Sequence, residues 1–155
     1  MDISQLFWQT YSKNPNSTTI GKTYKKIDEI SVFKKYKEEE GLVIIDSKGH
    51  ENLFSKISDG TQTLVLFTKY SPSGYTILAI LELGKIENNC RVIMRDCRLN
   101  AKTEGFIVAI VGLKPWKAYF TNVIKAWKVD QKTNMFISIP TKGIDCLNEE
   151  FENIN

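Results

Sequence analysis

Residues 62–84 read QTLVLFTKYSPSGYTILAILELG, and this stretch predicts a β-hairpin around which the other elements are arranged. Its two apolar runs, Thr63–Thr68 and Tyr75–Leu83, are rich in β-branched and aromatic residues, which favours strands over helices. Between them, Pro72 sets a φ suited to a turn, and Gly74 accepts the positive φ that a bulged hairpin loop often needs. Because the second run is apolar on both faces, we expect other elements to pack on each side of it.

Helices are predicted on the N-terminal side of this hairpin. The spacing of apolar residues predicts one helix over Ile3–Ser12 and a second over Lys25–Glu40, with Gly41 as its C-cap. A short helix over His50–Ile57 would turn its apolar side chains inward. We expect the first helix to pack on the sheet.

Strands are predicted before and after the hairpin. One covers Leu42–Asp46, and the others cover Cys90–Leu99, Phe106–Val111, Thr121–Val129, Met135–Ile139 and Gly143–Leu147. Pro115 lacks a ladder donor, so Lys114–Lys117 is expected at an edge or a corner. The sequence therefore predicts an α+β fold, with N-terminal helices packed on one face of a mainly antiparallel sheet of about six or seven strands.

Length and composition indicate an ordinary globular protein. The 155 residues are 42% hydrophobic and 25% charged, which predicts a single domain over residues 1–155 with a short acidic C-terminal tail. The longest apolar runs are about eight residues, against roughly 20 for a membrane span. The N-terminus has no basic and apolar leader pattern, so we expect no membrane association and a cytoplasmic location.

The three cysteines are Cys90, Cys97 and Cys146, and they cannot all pair within one chain. Their spacing is not that of a zinc site, and only His50 is available as a histidine ligand. We therefore predict reduced thiols in a reducing compartment, with no metal and no cofactor.

Charge is unevenly distributed along the chain. Residues 1–60 carry 9 Lys and 9 acids, residues 61–142 carry 12 Lys plus Arg against 5 acids, and residues 143–155 carry 4 acids and no base. The strand-rich part is therefore basic and the tail is acidic. The tail residues Glu149–Glu152 are predicted to fold back on the basic face and screen it.

The candidate binding residues lie in the basic part. The three arginines fall within Arg91–Arg98, and Arg91 and Arg95 would lie on one face of a strand about 13 Å apart. Aromatic residues are interleaved with lysines further along. The predicted partner-binding set is Arg91, Arg95, Arg98, Lys114, Trp116, Lys117, Lys125, Trp127 and Lys128.

Two functions use this set, and a purely structural interpretation competes with both. Guanidinium groups bind carboxylates bidentately, which indicates an acidic protein partner. Basic residues interleaved with aromatic ones are also typical of single-stranded nucleic-acid binding. Alternatively, the arginines pair with cross-strand acids such as Glu82 or Glu104, and the tryptophans belong to the core.

Catalytic signals are weak. The single histidine, His50, is predicted in a loop, and Glu82 and Asp46 are the best-placed carboxylates for a carboxylate site. The sequence has no glycine-rich phosphate loop. We therefore predict a non-enzymatic interaction protein of the inhibitor, immunity or accessory type, with single-strand nucleic-acid binding and a small enzyme as alternatives.

Overall fold

The computed structural model describes residues 18–151, and this part of the chain is nearly all β. Of the described residues, 54% lie in strands, and none of their helices reaches seven residues. The predicted α+β fold with N-terminal helices packed on a sheet is therefore wrong. The predicted helix over Ile3–Ser12 lies outside the described residues.

The described residues form thirteen strands, with two 3-10 turns between the first strand and the second. The 3-10 turns cover Ile27–Glu29 and Ser31–Phe33. The strands are β1 Thr23–Tyr24, β2 Lys37–Ile45, β3 Glu51–Ser58, β4 Thr63–Ser71, β5 Gly74–Gly84, β6 Cys90–Ile93, β7 Cys97–Leu99, β8 Lys102–Thr103, β9 Ile107–Gly112, β10 Tyr119–Phe120, β11 Val123–Asp130, β12 Met135–Ile139 and β13 Ile144–Leu147.

The strands belong to two compact units, Met1–Lys85 and Ile86–Asn155. Every strand pair among residues 18–151 is antiparallel, as the short connections predicted. The prediction of a single domain stays a prediction.

The first unit contains a five-stranded sheet in the order β1-β5-β4-β3-β2. The predicted hairpin is confirmed as β4 and β5, and all residues of Thr63–Thr68 are buried. Gly74 has a φ of 130°, and a Cβ there would clash with the carbonyl of Tyr24 on β1. The turn therefore needs glycine both for its backbone conformation and for the close approach of β1.

The region predicted as the helix Lys25–Glu40 folds into the two 3-10 turns and the start of β2. Its apolar residues Ile27, Ile30, Phe33 and Tyr36 recur every three residues, which is the period of a 3-10 helix. Ile30 and Phe33 are buried in a cluster with sheet residues, and the other two pack against that cluster. The error came from interpreting a period of three as a period of 3.6.

The predicted short helix over His50–Ile57 is also wrong, because these residues form β3. This strand lies between β2 and β4 and pairs with both of them. Phe54 and Ile57 are both fully buried, on opposite faces of the strand. The two ladders therefore override the local helical spacing.

The second unit contains two four-stranded sheets, in the orders β10-β13-β7-β8 and β12-β11-β9-β6. Buried residues from both sheets form one core, so the sheets pack face to face. This core contains Cys97, Ile107, Ala109, Val111, Phe120, Ala126, Ile144 and Cys146.

The predicted strand Cys90–Leu99 is two strands, β6 and β7, that belong to different sheets. The chain changes direction between them at Asp96, which has a φ of 56°. Aspartate tolerates this left-handed conformation better than most residues. The remaining strand predictions in this unit are confirmed as β9, β11, β12 and β13, with ends shifted by up to two residues.

Cys97 on β7 lies directly opposite Cys146 on β13, and the two form a disulfide. The prediction of reduced thiols is therefore wrong for this pair. Cys90 is a free, half-buried cysteine.

The double substitution Cys97→Ala with Cys146→Ala is expected to lower the free energy of unfolding by about 2–5 kcal/mol, because it removes a cross-link that restricts the unfolded chain. Urea unfolding measures this change. Cys90→Ser is the matched control and should have little effect, and equal stability of the double variant and the wild type would contradict the expectation.

Asp59 holds the turn between β3 and β4, and its Oδ1 accepts hydrogen bonds from the backbone N–H of Gln62 at 2.7 Å and of Thr61 at 2.9 Å. These hydrogen bonds hold the pKa of Asp59 below its usual value, and the bond from Gln62 has the larger influence of the two. Because the folded pKa is the lower one, this stabilisation is present above about pH 4 and is lost as the pH falls through the folded pKa.

Asp59→Ala is therefore expected to lower stability at pH 7 and to reduce the further loss of stability below about pH 4. Urea unfolding at a series of pH values measures both effects. Glu51→Gln controls for removal of one exposed negative charge, and an acid-induced loss that is the same in Asp59→Ala and wild type would count against the role of this turn.

Candidate functional site

All nine predicted binding residues lie in the second unit, but their surroundings differ. Arg98 on β7 faces Asp145 on β13, and two hydrogen bonds of 2.7 Å join the guanidinium to the carboxylate. The Arg98 guanidinium also lies 3.6 Å from the centre of the Tyr119 ring. The pKa of Arg98 is raised, mainly by its hydrogen bonds to Asp145. This arginine therefore joins neighbouring strands of one sheet.

Arg91 and Arg95 make looser ion pairs with the C-terminal acids. Arg91 Nη1 lies 3.5 Å from Glu150 Oε1, and Arg95 Nε lies 3.8 Å from Glu149 Oε1. Both acids are exposed. These contacts confirm, for Glu149 and Glu150, the prediction that the acidic tail screens basic residues.

The predicted placement of Arg91 and Arg95 on one face of a single strand is wrong. Arg91 lies on β6, whereas Arg95 lies in the bend between β6 and β7. The pairing of all three arginines with carboxylates of the chain agrees with the structural alternative, although the acids are not the two that the sequence suggested. Glu104 instead binds Lys128, with 3.0 Å between Nζ and Oε2.

The two tryptophans predicted to contact a partner differ in exposure. Trp127 on β11 is 6% exposed and belongs to the interior. Trp116 is 37% exposed, and its ring packs edge-on against Phe120 at 5.8 Å between ring centres. Lys125, two residues before Trp127, is exposed. Of these two tryptophans, only Trp116 is placed to meet a partner.

Trp116 lies in the connector between β9 and β10, which we call the 113–118 loop. Lys114 and Lys117 flank it, are exposed, and have no ion pair among residues 18–151. The Lys114–Pro115 peptide bond is cis. The loop thus presents one aromatic ring between two lysines that have no ion pair in the described part of the chain.

Asn148 fixes this loop from the C-terminal side. Its Nδ2 donates a hydrogen bond to the carbonyl of Lys117 at 3.0 Å, and its backbone N–H donates to the carbonyl of Ala118 at 2.9 Å. Its Oδ1 accepts a hydrogen bond from the backbone N–H of Glu150 at 3.2 Å. A single buried residue thus orders both the basic loop and one of the acids that screen the arginines.

Sequence reasoning did not identify Asn148. An asparagine directly after a strand can bond to the backbone two residues further on, and that local bond is the signal the sequence contains. The bond to Lys117 joins residues 31 positions apart and leaves no local pattern.

The carboxylate site that the sequence suggested is not formed, because Asp46 and Glu82 lie far apart. Asp46 and His50 are neighbours, with 3.2 Å between Oδ2 and Nδ1. Glu82 on β5 lies opposite Leu64 on β4, and Leu64 lies opposite Ile57 on β3. Ile57 is near the end of β3 that is remote from His50 and Asp46, so Glu82 lies about 25 Å from Asp46 along the sheet.

The electrostatics of Asp46 also differ from those of a raised-pKa catalytic acid. Burial, the largest single influence, acts to raise the pKa of Asp46. The backbone hydrogen bonds from His50 and Lys48, helped by the imidazole, outweigh burial and hold the pKa below its usual value. Asp46 is therefore explained as the acceptor that closes the β2–β3 turn.

Comparison with known proteins found no matching family model, no similar curated protein and no similar solved structure. Within residues 18–151, no cluster of three His, Cys, Asp or Glu side chains is arranged to hold a metal ion. No helix in that range has the length and apolar character to cross a bilayer.

Asn148→Ala is expected to lower the free energy of unfolding by about 1–3 kcal/mol, because it removes two side-chain hydrogen bonds at a buried position. Urea unfolding checks this value. Asn88→Ala, at an exposed asparagine, is the control, and an unchanged unfolding midpoint in Asn148→Ala would show that these bonds do not hold the loop.

Proposed function

We propose that this protein is a non-enzymatic interaction protein that binds an acidic protein partner through the 113–118 loop. The observation that carries the proposal is the exposed ring of Trp116 between Lys114 and Lys117, on a loop held by Asn148. Tryptophan is enriched among residues that dominate binding energy, and a fixed loop loses little conformational entropy on association.

The lysines would contribute mainly to the rate and selectivity of association. Exposed charges attract an oppositely charged partner over about a Debye length, which is roughly 10 Å at 0.1 M salt. Lys125 and Lys128 add positive charge on β11, although Lys128 is already paired with Glu104. The proposed complex should therefore weaken as salt rises.

The arginines would have different parts in this binding. Arg98 is engaged by Asp145 and stays a structural residue. Arg91 and Arg95 hold Glu150 and Glu149 at 3.5 and 3.8 Å, and exposed pairs of this kind are weak. Acidic groups of a partner can therefore compete with the chain's own glutamates for these two guanidinium groups.

Nucleic-acid binding has less support. Binding of single strands needs successive aromatic platforms, and Trp127 is buried, which leaves Trp116 as the one exposed ring of the predicted set. The guanidinium groups that would bind phosphates are paired with carboxylates. We therefore retain it as an outcome of the test below.

The disulfide bears on where this binding takes place. Disulfides such as Cys97–Cys146 form and persist in oxidising compartments and are rare in the cytosol. We therefore propose an oxidising compartment in place of the cytoplasmic location that the sequence suggested. Alkylation of the protein isolated from its host should then label Cys90 alone.

Binding of a labelled glutamate-rich peptide, followed by fluorescence anisotropy, tests the proposed function. Lys114→Ala with Lys117→Ala should weaken binding about twofold to thirtyfold, because two exposed ion pairs are lost. Trp116→Ala should weaken it by about tenfold or more.

The matched control is Lys102→Ala with Lys132→Ala, which removes the same charge at exposed positions outside the loop. Glu149→Gln with Glu150→Gln should tighten peptide binding by releasing Arg91 and Arg95. An equal loss in the control variant would contradict a role for the loop. Tighter binding of a single-stranded oligonucleotide, with a steep salt dependence, would favour the alternative function.

A further inference from the structure

The outer edge of β2 is unusual among the sheet edges of the described chain. The other edge strands are β1, β6, β8, β10 and β12, and they have two, four, two, two and five residues. β2 has nine residues and pairs only with β3 within residues 18–151. Long edges present unpaired N–H and C=O groups to other chains, and proteins usually shorten or charge them.

Only the first half of β2 is protected in this way. Glu38–Glu40 carries three acids and a bulge, which discourage pairing. Leu42–Ile45 contains no charge, proline or bulge. The unprotected half is thus a short apolar segment at an open edge.

The unprotected half also exposes apolar side chains. Val43 is 54% exposed and Ile45 is 59% exposed, which are the two highest values among the large exposed hydrophobic residues of the described chain. They are two residues apart and therefore share one face of the sheet. Apolar exposure at an open edge indicates that another strand covers it.

We propose that β2 pairs antiparallel with β2 of a second copy of this chain and joins the two five-stranded sheets of a homodimer. A twofold axis perpendicular to the sheet relates the two strands, so it passes midway between one residue of β2 and the same residue of the second copy. The possible registers are therefore centred on a single residue.

Charge and apolar contacts favour the register centred on Ile44 over the one centred on Val43. In that register Val43 lies opposite the partner's Ile45, so the two exposed side chains cover each other. Glu40, whose Oε1 lies 3.9 Å from Lys56 Nζ of its own sheet, lies opposite the partner's Lys48 in the turn after β2, so opposite charges face each other across the pair. A register centred on Val43 would instead place Glu40 opposite the partner's Asp46, and like charges directly opposite are destabilising.

A second copy fits this edge because Glu40 and Lys48 lie on opposite sides of the apolar segment 42–45. Lys37 begins the strand, Glu38–Glu40 and the apolar segment follow, and the turn after β2 contains Asp46 and Lys48. Antiparallel pairing centred on Ile44 brings Glu40 of each strand to Lys48 of the other. The proposed dimer contact uses β2 of the first unit and no residue of the 113–118 loop.

Sedimentation equilibrium of the full chain tests the dimer. The wild type should show a concentration-dependent shift to twice the mass of one chain, and Ile45→Lys should have the mass of one chain at every concentration, because two lysines would lie in the apolar pair. Ile137→Lys is the matched control, since Ile137 is 38% exposed on the edge strand β12. A wild type of single-chain mass throughout, or an equal effect of the control, would overturn the proposal.

Disulfide cross-linking tests the register and does not depend on the folding of the lysine variant. In a Cys90→Ser background, Ile44→Cys should form a covalent dimer on mild oxidation, because Ile44 would lie opposite its own copy at the axis. Leu42→Cys should form far less. Cross-linking of Leu42→Cys in preference to Ile44→Cys, or of neither, would contradict pairing centred on Ile44.

Discussion

The burial of β4 on both of its faces is the constraint on which the first unit depends. Residues Thr63–Thr68 are all buried, so their backbone N–H and C=O groups need partners within the protein. The neighbouring strands β3 and β5 both pair with β4 along the whole of Thr63–Thr68 and supply these partners. Pairing on both sides forces β3 to be a strand, although its sequence allows a helix. The order β5-β4-β3-β2 then follows from consecutive hairpins, and it leaves β2 at the edge.

Electrostatic pairing within the second unit separates structural charges from available ones. Arg98 is used between strands, and Arg91 and Arg95 are screened by acids that follow β13. Lys114 and Lys117 have no such partners among the described residues, and the buried Asn148 holds their loop. The net charge of a stretch therefore says little about which of its cations are available to a partner.

Several strands could be predicted because their signals are local. The hairpin of β4 and β5 was visible in its apolar runs and its Pro72–Gly74 turn, and β12 in the mostly apolar run that Pro140 ends. The secondary-structure predictions were wrong where the periods of an α-helix and a 3-10 helix could not be distinguished, or where pairing with neighbouring strands determined the type of element. The spacing of Ile27, Ile30 and Phe33 fits both a helix and successive 3-10 turns, and only their packing against the sheet distinguishes the two.

The amino-acid sequence by itself determined the antiparallel strands, the central hairpin and the basic character of residues 61–142, because these properties belong to neighbouring residues. Only the tertiary structure decided which basic side chains are paired with carboxylates, which of Trp116 and Trp127 is exposed, and which cysteines are bonded. Arg98 and Asp145 are 47 positions apart, and no local pattern shows that they meet. Contacts of this kind depend on the order of the strands in the sheets, and that order is set by which apolar faces are buried together.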